Sequence, residues 1–140
     1  MKLFGIKAAV ATVLAVAVVA VSAPTRAEEK KDSSTVSEIM RKAHGKAGIL
    51  GDLKGAVPKK GEPKFEVVKE KSAELLPLAE ALAKASPKKG EKASWDKLTK
   101  SYVDNVKSLV EAAENKDAPA TSKAMTALGT SCGGCHSKHK

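Results

Sequence analysis

The sequence predicts an all-α protein, an antiparallel four-helix bundle. Apolar residues recur at helical spacing in four separate stretches between residues 35 and 140. Clusters of Gly, Pro and Lys punctuate the intervals between them. No stretch shows the period-two alternation of a half-buried strand. Four amphipathic helices joined by loops of modest length pack most simply as an antiparallel bundle.

The first helix starts near Thr35, because Thr35-Val36-Ser37-Glu38 fits a capping box ahead of an apolar stripe. That stripe is Val36, Ile39, Met40, Ala43 and Ala47, with His44 on its edge. Gly45, Gly48 and Gly51 weaken its continuation, although Ile49, Leu50 and Leu53 can add a further turn. Residues 55–63 read as a loop. A second helix runs from about Lys64 to Lys84, with Phe65, Val68, Leu75, Leu76, Ala79 and Leu82 inward. Pro77 interrupts its hydrogen bonding, and a kink is expected one turn earlier. The loop at 86–92 repeats the pentapeptide Pro-Lys-Lys-Gly-Glu of residues 58–62 at residues 87–91. One recurrence of a loop-like pentapeptide does not make a repeat architecture. Ser94 can cap the third helix, whose stripe is Trp95, Leu98, Tyr102, Val106, Leu109 and Ala113. Asn115 ends it. Asp117 caps the fourth helix, with Pro119 tolerated in the first turn. Ala124, Leu128, Cys132 and Cys135 carry its stripe onward.

Residues 1–27 have a different character. Lys2 and Lys7 precede an apolar run from Ala8 to Ala23, and Thr25-Arg26-Ala27 places small residues at the −3 and −1 positions of a cleavage site. This is the pattern of a secretory signal peptide. The run is shorter than the ~20 residues of a membrane-spanning helix, so no membrane span is expected after cleavage. The remaining domain is 28–140, and removal of Lys2, Lys7 and Arg26 lowers the net charge from +9 to +6. Nucleic acid is disfavoured as a partner: the chain is exported, and the aromatic side chains that stack on bases are nearly absent. A basic surface can instead steer an acidic partner. A homodimer is compatible with the sequence. The core is meagre, with Phe65, Trp95 and Tyr102 the only aromatics beyond the leader and Ala much of the rest. A bulky apolar group inside the bundle would supply what it lacks.

The only two cysteines stand in Cys132-Gly133-Gly134-Cys135-His136, the C-x-x-C-H attachment signal of c-type haem. Thiols at i and i+3 lie on one side of a helical turn, where both can add to the two vinyl groups along one haem edge. The histidine that follows is carried below the ring, within reach of the iron. Small residues between the thiols let the macrocycle edge approach the backbone. Two helical glycines cost about 1 kcal/mol each relative to Ala, a loss that covalent attachment offsets. Other readings are weaker. A Cys-x-x-Cys disulfide closes a very short loop, and a thioredoxin-like pair lacks its βαβ context. A metal site from Cys132, Cys135, His136 and His139 is the more serious rival, but ligands so tightly spaced on one helix struggle to surround an ion.

With its exported Ala/Lys-rich composition, four helices and C-x-x-C-H at residues 132–136, the chain resembles the class II c-type cytochromes. These are the cytochrome c prime group and its methionine-ligated low-spin relatives. The resemblance covers essentially residues 34–140, and only the C-terminal motif is sharp. It implies a left-turning bundle with one covalently bound haem c between the helices. Cys132 and Cys135 would supply the thioethers and His136 the proximal ligand. The chain departs from the family after the histidine. Members often carry an aromatic residue three positions on and an arginine next, where His139 and Lys140 stand here. Basic character is kept, whereas aromatic packing beside the proximal ligand is not expected.

The distal ligand decides the function. Met125 lies about 16 Å along the same helix from His136 and cannot cross the ring, and His139 lies beside the proximal ligand. Met40, His44 and the lysines remain. Met40 can be read simply as a core methionine filling a gap. The resemblance implies the other role, since low-spin members take their sixth ligand from a methionine early in the first helix. His44 is expected as a rim or propionate contact, or as an exposed side chain. Histidine–methionine ligation gives a closed iron that carries single electrons, an open distal site gives a five-coordinate haem binding NO or CO, and a Cys/His metal-binding protein is the third alternative. No triad, carboxylate pair or phosphate loop suggests an enzyme. The sequence therefore points to a periplasmic monohaem electron carrier with redox partner proteins, acidic ones among the candidates.

Overall fold

A computed structural model describes residues 35–140; the leader expected over residues 1–27 lies outside them. Five helices run in order: α1 Val36–His44, α2 Ile49–Ala56, α3 Phe65–Lys84, α4 Lys92–Glu114 and α5 Ala118–His139. Among the described residues there is no strand. α1 and α2 together form the first arm of a four-helix bundle, α3 packs on α4, and α4 on α5.

The capping box at the start of α1 is formed: the Thr35 N–H donates to Glu38 Oε2 at 2.9 Å, and the Glu38 N–H to Thr35 Oγ1 at 3.4 Å. The Thr35 N–H, together with the Thr35 hydroxyl that donates to the same carboxylate oxygen at 3.3 Å, holds the Glu38 carboxyl below its ordinary value. The first helix does not continue through its glycines. It stops at His44, turns through Gly45–Gly48, and restarts as α2 with Leu50, Leu53 and Ala56 buried. The turn is tight enough that a Cβ on Gly48 would stand 2.7 Å from the Gly45 nitrogen. Ala47 falls in this turn and is exposed, so the buried stripe of α1 is Ile39 and Ala43. α2 extends past the predicted loop boundary to Ala56, and the Lys64 N–H closes the loop by donating to the Ala56 carbonyl at 2.9 Å.

Pro77 does not break α3, which runs unbroken from Phe65 to Lys84. Pro77 and Ala73, whose carbonyl loses its i→i−4 donor, are both exposed, so water can take the place of the missing N–H. Phe65 and Leu76 are only half-buried, leaving Val68, Leu75, Ala79 and Leu82 as the apolar core face of α3. In α4, Trp95, Tyr102, Val103, Val106, Leu109, Ala112 and Ala113 are buried. α4 begins at Lys92 without a side-chain cap; Ser94, expected to cap it, uses its hydroxyl elsewhere. The buried hydroxyls of Ser72, Thr99 and Thr121 return hydrogen bonds to their own helices, so no buried side-chain polar atom among the described residues lacks a partner.

Leu109 is fully buried in α4. Its replacement by Ala should cost about 2–5 kcal/mol, read as a lower urea midpoint with an unchanged slope.

Candidate functional site

α5 is capped by Asp117, whose Oδ1 accepts from the Ala120 N–H at 2.9 Å. Its buried face is Thr121, Ala124, Met125 and Leu128. One turn beyond Leu128 that face becomes Cys132, then Cys135, both half-buried and both free thiols. The unbroken helix thus puts the two sulfurs one turn apart on the side that faces the bundle. Burial, with Cys132 adding to it, pushes the Cys135 thiol up. His136 follows on the exposed surface of the same turn. Gly133 has no atom within 4 Å of a Cβ built on it, and Gly134 meets only Leu98 Cδ2 at 3.7 Å. Protein packing therefore does not require glycine at either place, which suits a backbone left clear for a flat group.

A cavity of about 260 Å³ opens beside this turn. Met40 and His44 of α1 and Leu50 and Lys54 of α2 line one side; Ser131, Cys132, Cys135 and His136 of α5 line the other. Leu82 of α3 and Leu98, Thr99 and Tyr102 of α4 complete it. The structure thus brings all four proposed site residues, Cys132, Cys135, His136 and Met40, to one cavity. The cavity occupies the seam between α5 and the α1–α2 arm, the one side of the bundle not closed by extensive helix packing. Its donor set is two thiols, an imidazole and a thioether among aliphatic walls. That chemistry fits a covalently attached haem. Met125, set aside on grounds of distance, is a buried core residue instead.

Sequence reasoning missed the partner of His44. Its Nε2 lies 3.0 Å from the Tyr102 hydroxyl, and the rings are tilted at 50° with centroids 5.8 Å apart. Burial holds the His44 imidazole below its ordinary value, and His136 and Lys54 add to this. Burial raises the Tyr102 hydroxyl far above its ordinary range, with Cys132 contributing. With both groups neutral, the hydroxyl donates to Nε2. The available signal was a tyrosine on a buried stripe, since a buried phenol requires a partner. A histidine depressed by burial binds its proton more readily in the unfolded chain. The stability it confers is complete above the unfolded value and is lost as pH falls through the folded one. Thermal melts of the haem-free chain between about pH 7 and 5 should show this loss, and His44→Gln should remove that component.

His139 is not part of the cavity. Its Nδ1 lies 2.8 Å from the Lys89 carbonyl oxygen and its Nε2 3.2 Å from Ser94 Oγ, which is where the expected cap hydroxyl of α4 is engaged. Its ring stands edge-on to Trp95, with centroids 5.4 Å apart. The imidazole thus makes an aromatic contact of its own, with Trp95. The proposed Cys/His metal cluster is not assembled, because the loop draws His139 away from it. Among the described residues no three His, Cys, Asp or Glu side chains are placed to hold a metal ion.

Residues 68–140, just over half of the chain, match the family described as Cytochrome C'. The chain belongs to the cytochrome c′ family. The match spans nearly all of α3 and the whole of α4 and α5, including the C-x-x-C-H turn, and with the all-α bundle it identifies a haem c protein. Met40 and His44 lie outside the matched residues, so cytochrome c′ membership does not decide the distal side. No curated protein and no solved structure matches the chain. No helix among the described residues is long and apolar enough to cross a membrane.

Proposed function

We propose that this cytochrome c′ family member is a periplasmic one-electron carrier. One haem c would be attached through Cys132 and Cys135, with His136 as proximal ligand and Met40 as sixth ligand. The observation that supports this reading is the shared cavity, with Met40 facing it from α1 and Cys132, Cys135 and His136 from α5. His44, the rival ligand, has its Nε2 engaged by Tyr102. Bound haem supplies an iron that cycles between the ferric and ferrous states. His136 and Met40 would hold that iron, the thioether would raise its potential, and Leu50, Leu82 and Leu98 would exclude water. Such a site carries electrons and leaves no room for a substrate. Export through the leader at residues 1–27 would bring the chain to the compartment where its thiols are matured.

The optical spectrum of the purified protein tests this. Haem that resists acid-acetone extraction and a low-spin reduced spectrum indifferent to carbon monoxide are expected. A colourless protein would overturn the reading. Ready carbon monoxide binding would favour the second reading, a five-coordinate haem for NO or CO, with which the cytochrome c′ family match agrees equally well.

The two Pro-Lys-Lys-Gly-Glu loops differ in position. They stand at opposite ends of α3, about 30 Å apart for a helix of this length, and only the second touches the end of α5. An acidic redox partner would therefore dock by Lys88 and Lys89. At low salt, Lys88→Glu with Lys89→Glu should slow oxidation of the reduced protein by ferricyanide severalfold, and Lys59→Glu with Lys60→Glu much less. Equal slowing by both pairs would mean that only net charge matters.

A further inference from the structure

The last turns of α5 have little to hold them. Past Leu128 every residue is exposed or half-buried, and the three helical glycines, Gly129, Gly133 and Gly134, favour fraying by about 1 kcal/mol each. The exception is His139. Its Nδ1–H donates to the Lys89 carbonyl at 2.8 Å, its Nε2 pairs with the Ser94 hydroxyl at 3.2 Å, and its ring meets the buried Trp95 edge-on. Trp95 is fixed in turn by its own Nε1–H, which donates to the Ala85 carbonyl at 2.8 Å. One imidazole thus ties α5 to both the α3–α4 loop and the first turn of α4.

The loop is shaped to receive it. Gly90 has φ +81°, a left-handed conformation that favours glycine. A Cβ there would stand 2.5 Å from His139 Nδ1 and 2.7 Å from the Lys138 carbonyl oxygen. The same pentapeptide at residues 58–62 also turns on a left-handed glycine, Gly61, but there a Cβ would meet only Pro58 Cγ, at 4.0 Å. The close fit belongs to the second copy alone.

We propose that His139 is the positioning residue of the haem-binding turn. Anchored to Lys89 and Ser94, it keeps residues 132–136 helical and so fixes how the two thiols and the His136 imidazole face the cavity. The effect on the iron rests on the haem reading above; the clasp itself rests on geometry.

The test compares the holoprotein with His139→Phe, Gly90→Ala and the double variant, by amide hydrogen exchange and by the ferric EPR spectrum and reduction potential. His139→Phe keeps an aromatic ring against Trp95 and loses both hydrogen bonds, whereas Gly90→Ala closes the receiving space. Each should speed exchange over residues 130–139 by about tenfold or more while the centre of α4 is unchanged. Each should also shift the EPR spectrum and the potential. The double variant should be no worse than the singles, because both break one contact. His139→Asn, whose amide nitrogen can reach the Lys89 carbonyl, should restore most of the protection. Unchanged exchange in both single variants, or effects that multiply in the double, would overturn the proposal. Faster exchange with an unshifted spectrum and potential would also overturn it, leaving a clasp with no bearing on the iron. A wild-type protein without haem sinks the earlier reading by its colour alone, before any variant is compared.

Discussion

Met40→Ala should convert a closed, low-spin iron into a high-spin one that binds carbon monoxide when reduced. Met40 is half-buried on α1 and lines the cavity that Cys132, Cys135 and His136 line from α5. Removing the thioether leaves no other α1 side chain free to take its place, since His44 Nε2 is held by the Tyr102 hydroxyl. The potential should fall as well, because a thioether ligand raises it. His44→Gln, by contrast, should leave the spin state unchanged. Spectra of the two variants in both oxidation states decide the matter. An unchanged Met40→Ala spectrum would mean that the methionine only fills space, and a His44→Gln protein that turns high-spin would transfer the role to the imidazole.

The haem-free chain should be a partial bundle. α1 has nine residues and α2 eight, lengths at which isolated helices do not persist in water. Their attachment to α3 is modest beside the α3–α4 and α4–α5 interfaces, and their other side faces the cavity. With Cys132→Ala and Cys135→Ala preventing attachment, exchange over residues 36–56 and 130–139 should rise by about a hundredfold or more relative to the holoprotein. The centre of α4, around Val106 and Leu109, should stay protected because α3 and α5 cover it. Equal protection throughout would show that the bundle supports itself and that the cofactor adds only chemistry.

What could be read from the sequence was what depends on near neighbours. Thr35 with Glu38, Asp117 with Ala120, and the thiols of Cys132 and Cys135 one turn apart are all local geometry, and all are as expected. What Pro77 does to its helix depends on which face it occupies. On an exposed face, water can satisfy the carbonyl that its ring leaves unpaired. The break at Gly45–Gly48 was visible as weakness, but whether Ile49 and Leu50 would extend the first helix or start a second depended on packing against α3. Contacts between distant residues were hidden. Nothing in the order of residues pairs His44 with Tyr102, fifty-eight positions apart, or His139 with Lys89, fifty apart. His139 entered a rival metal-site reading because its neighbours in sequence are Cys135 and His136, whereas its neighbours in space are a loop carbonyl, a serine hydroxyl and an indole.

That indole gives the chain a built-in optical gauge. Trp95 is the only tryptophan in the sequence and is 2 % exposed, so all indole fluorescence comes from one rigid, desolvated site. It touches the helix that bears the thiols through His139 and the end of α3 through Ala85. Its emission therefore reports on three helices at once. A haem joined to Cys132 and Cys135 would quench it by energy transfer, so each chain that acquires the cofactor would darken as it does so.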